Sequence, residues 1–166
     1  MSYLTRDLIQ LENSVCSADS FHSGAEVLFL GKVRNHSHGK KVLFLEYEAY
    51  EAMAEKQIEN LIAKARERWK IDSLRVLHRL GKVALGEAAV LIQVQSAHRD
   101  EAYRASRHLI DSIKHQVPIW KKEYFEDGTC VWGRCEHPPS TDASEVSLAA
   151  AVPDEIASNE ENSSSC

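Results

Sequence analysis

The sequence KHQVPIWKKEYF, residues 114–125, joins a helical pattern to a strand pattern and sets three lysines around a Pro-Ile-Trp core. Pro118 has no amide hydrogen and cannot continue the preceding helix, and the residues after it alternate as in a β-strand. The alternation puts Lys121 and Glu123 on one face and Lys122 on the other. A plain buried strand would not carry ammonium groups, so these lysines need an explanation beyond core packing.

The neighbouring sequence predicts an α+β domain. Apolar residues at helical spacing predict two long helices, and an Asp127-Gly128 turn between aromatic-rich segments predicts a C-terminal hairpin. Leu4, Leu8 and Leu11 predict a short N-terminal helix within YLTRDLIQLEN. Four strands are predicted in AEVLFLGKVRN, VLFLEYEAY, SLRVLHRLG and AAVLIQVQSA. The order α-β-β-α-β-β-α-β-β argues against a doubly wound sheet.

The composition predicts one domain followed by a tail. The 166 residues are 43% apolar, enough for one hydrophobic core. From Pro138 onward the chain holds six acids and no Lys or Arg, so the net charge of −5 becomes +1 for residues 1–137. That Ser/Ala/Glu-rich segment cannot bury enough apolar surface to offset its ordering entropy. We therefore expect a domain over residues 1–137 and a disordered tail over residues 138–166.

Several classes of protein are disfavoured. The near-neutral body has no basic helix or aromatic-basic motif of a nucleic-acid reader. No run of about 18 apolar residues and no signal-peptide layout occur, so we expect a cytosolic protein without membrane contact. Cysteine spacing matches no zinc finger, and reduced thiols are expected. Loosely spaced residues leave two metal readings open, against ordinary strand or solvated positions: Cys130, Cys135 and His137, and the pair His36 and His38.

Basic residues gather where predicted elements end. Lys32 and Arg34 leave the first long strand on one face. His98 and Arg99 precede a helix, where free amides and the helix dipole favour an anion. The two acids that follow Arg99 could equally offset the helix end and leave Arg99 an ordinary surface residue.

Lys114 and Lys121 each have a functional and an ordinary interpretation. Lys114 lies about 40° past Ile110 at the border of the apolar stripe, so its amine could reach a cleft or merely extend to solvent. Lys121 beside Glu123 could be a plain ion pair, or an acid/base unit whose pKa is set by desolvation and neighbouring charge.

Five segments in this order, between about residues 27 and 132, resemble the catalytic (large) subunit family of molybdopterin synthase: FLGKVRNHSHG, LEYEAYEAMAEKQI, HRLGKVALGE, VQSAHRDEAYRA and IKHQVPIWKKE. The resemblance implies an α/β-hammerhead type fold with a mixed, mostly antiparallel sheet. It also implies a homodimer of large subunits within a heterotetramer. Each large subunit then carries a small ubiquitin-like sulfur-carrier subunit that ends in a Gly-Gly thiocarboxylate.

The activity implied by the resemblance is that of a sulfurtransferase. Two sulfurs from the carrier are inserted into cyclic pyranopterin monophosphate to form the dithiolene of molybdopterin, with no metal or other cofactor. By resemblance Lys114 is the essential lysine and Lys121 a second important one. The substrate site implied in this way comprises Lys32, Val33, Arg34, His98, Arg99, Lys114, Lys121, Lys122 and Glu123.

Two points stay open at this stage. We assign Lys114 to the thiocarboxylate end of the reaction as our own hypothesis, and we give Arg134 and the acidic tail no role. The alternative function is a catalytically silent scaffold that holds a phosphopterin or the carrier; the presence of both Lys114 and Lys121 argues against it.

Overall fold

The computed structural model describes residues 2–10 and 21–134. Along these residues the elements are β1 (Leu4–Thr5), β2 (Ala25–Lys32), β3 (His36–Ser37), β4 (Lys40–Ala49), α1 (Glu51–Arg68), β5 (Ser73–Arg79), β6 (Gly81–Ala84), β7 (Ala88–Ser96), α2 (Arg99–Gln116), β8 (Ile119–Phe125) and β9 (Cys130–Arg134). In these two ranges neither helix has the length and apolar character needed to cross a bilayer.

The strands form two sheets. The first has the order β1-β5-β7-β2, in which only β1 and β5 run parallel. The second has the order β3-β4-β8-β9, and β6 also pairs with β4. The predicted α+β class, with mostly antiparallel pairing, two long helices and a C-terminal hairpin, is therefore confirmed.

The hydrophobic core lies where the two helices pack together and α2 covers the first sheet. Leu91, Ile92 and Val94 of β7 are fully buried, as are Ile58 of α1 and Leu109 of α2. Burying each such side chain stabilises the fold by about 1.5–3 kcal/mol. The core therefore fixes α2, whose C-terminal end carries Lys114, against β7 and β2.

The predicted N-terminal helix is wrong over the described residues up to 10. Leu4 and Thr5 instead pair in parallel with β5. The Glu55 carboxylate accepts hydrogen bonds from the amides of Tyr3 (2.9 Å) and Leu4 (3.2 Å). These partners come from distant parts of the chain, and together they outweigh a weak helical pattern. Residues 11–13 of the predicted helix lie outside the described ranges.

Two segments between the predicted long strands contain short strands. The loop HSHGKK includes β3, which folds back on β4 through His38 and Gly39, whose φ angles are 50° and 75°. KVALGE includes part of β6, which pairs with β4. The predicted acidic tail, together with Cys16, Cys135 and Cys166, lies outside the described residues.

Candidate functional site

A cleft of about 270 Å³ is lined by both sheets and by the C-terminal half of α2. Four cationic side chains reach it, from Lys32, Arg34, Lys114 and Lys121. Apolar side chains form much of its wall: Phe29, Tyr47, Val90, Ile110, Ile113 and Ile119. Charges beside such walls interact more strongly than they would in bulk water.

A register shift at the end of β2 brings Lys32 and Arg34 to the cleft. Gly31 pairs with Val90, whereas Lys32 pairs with Ala88, so the ladder skips one residue of β7. A β-bulge of this kind bends a strand and redirects its side chains. At position 31 a Cβ atom would lie 2.6 Å from Cγ1 of Val90, so this close approach requires glycine.

Val33, between Lys32 and Arg34, was expected in the substrate site, but its side chain lies elsewhere. Its side chain is 3% exposed within the hydrophobic core and does not line the cleft. Its amide donates to the Glu87 carbonyl (3.0 Å), and its carbonyl accepts from the Gly86 amide (2.8 Å). Val33 therefore anchors the backbone that carries Lys32 and Arg34.

Lys114 and Lys121 reach the cleft from either side of Pro118. Lys114 lies in the last turn of α2, where its positive charge interacts favourably with the negative end of the helix dipole. The Pro118 carbonyl accepts from the Tyr50 amide (3.1 Å), which ties the turn to the end of β4. β8 then runs antiparallel to β4, with Lys121 opposite Tyr47. This turn brings two lysines seven positions apart to one cavity.

Lys121 is paired with a buried carboxylate. Its Nζ lies 2.6 Å from Oε1 of Glu123, and the Glu123 side chain is 6% exposed. Burial raises the pKa of Glu123, but hydrogen bonds from Lys121 and the Ser37 hydroxyl outweigh it, so the net pKa is lowered and the carboxyl is ionised at neutral pH. Oε2 is buried and has no hydrogen bond of good geometry within the described part of the chain.

The other cations of the cleft differ from Lys121 in having no ion pair within the described part of the chain. Among residues 2–10 and 21–134, Lys32, Arg34 and Lys114 form no salt bridge. Lysine and arginine offer only hydrogen-bond donors, and such donors bind phosphate and carboxylate groups strongly. The cleft is therefore suited to anionic ligands.

His98 and Arg99 lie apart from this cleft, although the implied substrate site groups them with Lys32, Arg34, Lys114 and Lys121. They line a separate cavity with Gly24, Ala97 and Asp100 at the start of α2. The 18 residues of α2 span about 27 Å, and Lys114 lies near the far end. A straight helix cannot bring its two ends to one ligand, so a single chain does not unite these residues.

Lys122 also lies outside the cleft, because strand alternation turns it to the opposite face of β8. Its Nζ lies 5.0 Å from the ring centroid of Tyr124 and 5.4 Å from that of Trp132. A hydrogen bond with Tyr124 raises the pKa of Lys122. Its side chain contacts aromatic rings rather than the cavity.

The sequence did not single out His78, which lines the cleft from β5. The side chain is 4% exposed, and its Nδ1 lies 2.9 Å from the Arg79 carbonyl oxygen. Burial lowers its pKa to about 4, although the Arg79 carbonyl acts in the opposite direction. Its inward position in the alternation of SLRVLHR was the available signal.

The metal interpretations gain no support from the described residues. No group of three His, Cys, Asp or Glu side chains there is placed to hold a metal ion. His36 lines the cleft and contacts Asn35 through Nδ1 (2.9 Å). Cys135 and His137 lie outside the described residues.

Fold and cleft together define an α+β protein with an apolar-walled, cationic site for anions. The profile of the MoaE protein family matches residues 4–116. The molybdopterin synthase catalytic subunit of Bacillus subtilis is 43% identical over 125 residues, which cover 75% of this chain and 80% of that protein. The chain therefore belongs to the MoaE protein family, and its resemblance to the catalytic subunits of molybdopterin synthase is confirmed.

Solved structures agree with this assignment. Molybdopterin synthase from Staphylococcus aureus superposes with a TM-score of 0.73 at 39% identity, covering 80% of this chain and 96% of that one. A complex of subunits 1 and 2 of molybdopterin-converting factor from Helicobacter pylori gives a TM-score of 0.65 at 23% identity, covering 79% and 88%. At 23% identity, the likeness to the Helicobacter pylori complex supports the fold alone.

Proposed function

We propose that this chain is the catalytic subunit of a molybdopterin synthase and acts in molybdenum cofactor biosynthesis as a sulfurtransferase. It moves sulfur from the thiocarboxylated C-terminus of a small ubiquitin-like carrier subunit to cyclic pyranopterin monophosphate, forming the dithiolene of molybdopterin. The observation that carries the proposal is the cleft itself, in which three cations with no salt bridge to any described residue lie beside the Lys121–Glu123 pair.

Both reactants of this reaction are anions, which fits the charge of the cleft. The pterin carries a phosphate, and the donor ends in a thiocarboxylate. Holding the two together is unfavourable in water-poor surroundings unless fixed cations offset their repulsion. Lys32, Arg34 and Lys114 supply such cations, and the apolar wall gives the heterocycle a surface to pack against.

The two lysines of residues 114–125 have different roles in this proposal. Lys121 is held by Glu123 and acts as a fixed cation that positions the substrate. Lys114 has no such partner in the described chain and serves the thiocarboxylate end. There its ammonium stabilises the charge that develops as sulfur attacks, and it assists proton transfer.

His98 and Arg99 contribute to the substrate site through dimerisation. His98 and Arg99 cannot reach the cleft of their own chain, since α2 separates them from Lys114. In the homodimer that we propose within the heterotetramer, His98 and Arg99 of one copy complete the substrate site of the other. They bind the pterin phosphate at the start of α2, where the helix dipole favours an anion.

A single-turnover assay tests the proposed function. The purified chain is mixed with a thiocarboxylated small subunit and cyclic pyranopterin monophosphate, and the dithiolene product is measured as its oxidised fluorescent derivative. Dithiolene product amounting to about half of the thiocarboxylated carrier supports the synthase, because each dithiolene takes two sulfurs and each carrier supplies one. A chain that binds the carrier and the pterin but yields no product would instead be the silent scaffold.

A further inference from the structure

His78 is a buried histidine that lines the cleft, and the proposed function assigns it no role. It lies in β5 opposite Val90 of β7, another residue of the cleft wall. Its backbone amide donates to the Tyr3 carbonyl (2.8 Å). Its ring meets that of Tyr47 edge to face, with centroids 5.1 Å apart. These contacts hold the ring in one orientation at the cavity surface.

The hydrogen bond at Nδ1 fixes the tautomer of the ring. The Arg79 carbonyl oxygen, 2.9 Å away, can only accept, so Nδ1 must carry the hydrogen. In a neutral imidazole Nε2 then bears the lone pair and is an acceptor. Burial keeps the ring neutral at physiological pH, because it lowers the pKa to about 4.

Besides His78, the neutral side-chain acceptors of this cleft are His36, Ser37 and Tyr47, and His78 is the least exposed of the four. The side chains of Lys32, Arg34 and Lys114 donate only. Glu123 accepts, but it is an anion already bonded to Lys121. A pterin carries ring N–H groups that need acceptors when they are buried. A further carboxylate would repel the anionic substrates, whereas an imidazole lone pair accepts without adding charge.

We propose that Nε2 of His78 accepts a hydrogen bond from a ring N–H of the bound pyranopterin and thereby orients the heterocycle in the cleft. The identity of this ligand rests on the proposed function. His78 is thus a specificity-determining residue that acts on the ring, whereas the lysines and arginine act on the anionic groups.

Two substitutions at position 78 separate this role from a structural one. His78→Asn retains an amide N–H near the Nδ1 position but has no acceptor near Nε2. His78→Gln places an amide oxygen near the Nε2 position. We expect His78→Asn to raise KM for the pterin by about 10- to 100-fold, with kcat and carrier affinity little changed, because a buried N–H loses its acceptor. His78→Gln should recover most of that loss.

His108→Asn is the matched control. His108 is a partly buried histidine that packs against Trp69, with ring centroids 5.2 Å apart, and it does not line the cleft. It should leave KM unchanged. Equal rises in KM for His78→Asn and His78→Gln that follow a loss of thermal stability, or no rise in either, would overturn the inference.

Nitrogen NMR of the histidine rings gives a readout without turnover. In wild-type protein Nε2 of His78 should be unprotonated, and its resonance should move upfield when cyclic pyranopterin monophosphate is added. Turnover with an unmoved Nε2 resonance would overturn this inference and leave the proposed function standing. A wild-type chain that neither binds nor converts the pterin would overturn both.

Discussion

Nζ of Lys121 lies 2.6 Å from Oε1 of Glu123 on the inward face of β8. The two residues are separated by Lys122, which the alternation of the strand turns to the other face. The sequence WKKE thus supplies one lysine to the cleft and one to an aromatic surface. The carboxylate holds the first lysine in place, so the pair gives the cleft a cation of fixed position.

Replacing Glu123 tests this pairing. Glu123→Gln replaces the carboxylate by a neutral amide, so the ammonium of Lys121, whose side chain is 26% exposed, loses its ion pair and retains at most a neutral acceptor. We expect a loss of about 1–2 kcal/mol in the free energy of unfolding, less than for a fully buried pair because solvent screens part of the charge. Urea unfolding measures it. Asp127→Asn, which breaks the exposed pair with Lys40, is the control and should change little.

The pH dependence of stability should report on His78. Its pKa is about 4 in the folded chain, whereas an unfolded histidine titrates near 6.5. Between these values the unfolded chain binds a proton that the folded chain does not, so the free energy of unfolding decreases as pH falls, by about 3 kcal/mol in all. Urea unfolding at about pH 7.5 and about pH 4.5 measures most of this decrease.

His78→Gln should show a smaller decrease over the same interval, because it has no group to titrate. The control His108→Asn should keep most of the wild-type decrease. If wild type and His78→Gln lost stability equally as pH falls, the titration of His78 would not be the source of the pH dependence.

Gly31 should be intolerant of a side chain. Gly31→Ala places a Cβ atom 2.6 Å from Cγ1 of Val90, so β2 or Val90 must move. Overpacking of this kind is destabilising by about 1–3 kcal/mol, and the shift displaces Lys32. Thermal unfolding and the KM for the pterin should both change. Combining Gly31→Ala with Val90→Ala removes the clash, and the double variant should lose less stability than the two single losses summed; simple additivity would contradict the close contact.

Mixed dimers test whether two chains share a site. Lys114→Ala and Arg99→Ala should each be inactive alone. When the two are unfolded and refolded together in equal amounts, half of the dimers contain both chains, and each of these has one intact site. Activity should then return to about a quarter of the wild-type value. No recovery in refolded mixtures of confirmed mixed composition would mean that each chain uses its own His98 and Arg99.

The sequence predicted the parts of the fold that depend on local patterns. The helical spacing of residues 51–69 and 99–117 and the alternation in IWKKEYF correspond to α1, α2 and β8. The parallel pairing of Leu4 with His78 could not be predicted in this way. It depends on the edge of β5 and on Glu55, which are remote in sequence.

The sequence predicted those site residues whose positions depend on a local feature of the chain. The bulge after Gly31 and the turn at Pro118 are local, and the structure places Lys32, Lys114 and Lys121 in one cavity. The separation of His98 from Lys114 follows from the length of α2, yet a list of basic residues at element ends does not reveal it. His78 joins the cleft only because both sheets meet there, which no single segment encodes.

The most direct test of the account is the single-turnover assay with Lys114→Ala. The variant should bind the carrier as wild type does, because Lys114 is one partly exposed side chain near the end of α2, yet it should form no dithiolene product. Lys64→Ala, an exposed lysine of α1, is the control and should retain full turnover. Near-normal product formation by Lys114→Ala would contradict the role assigned to this lysine.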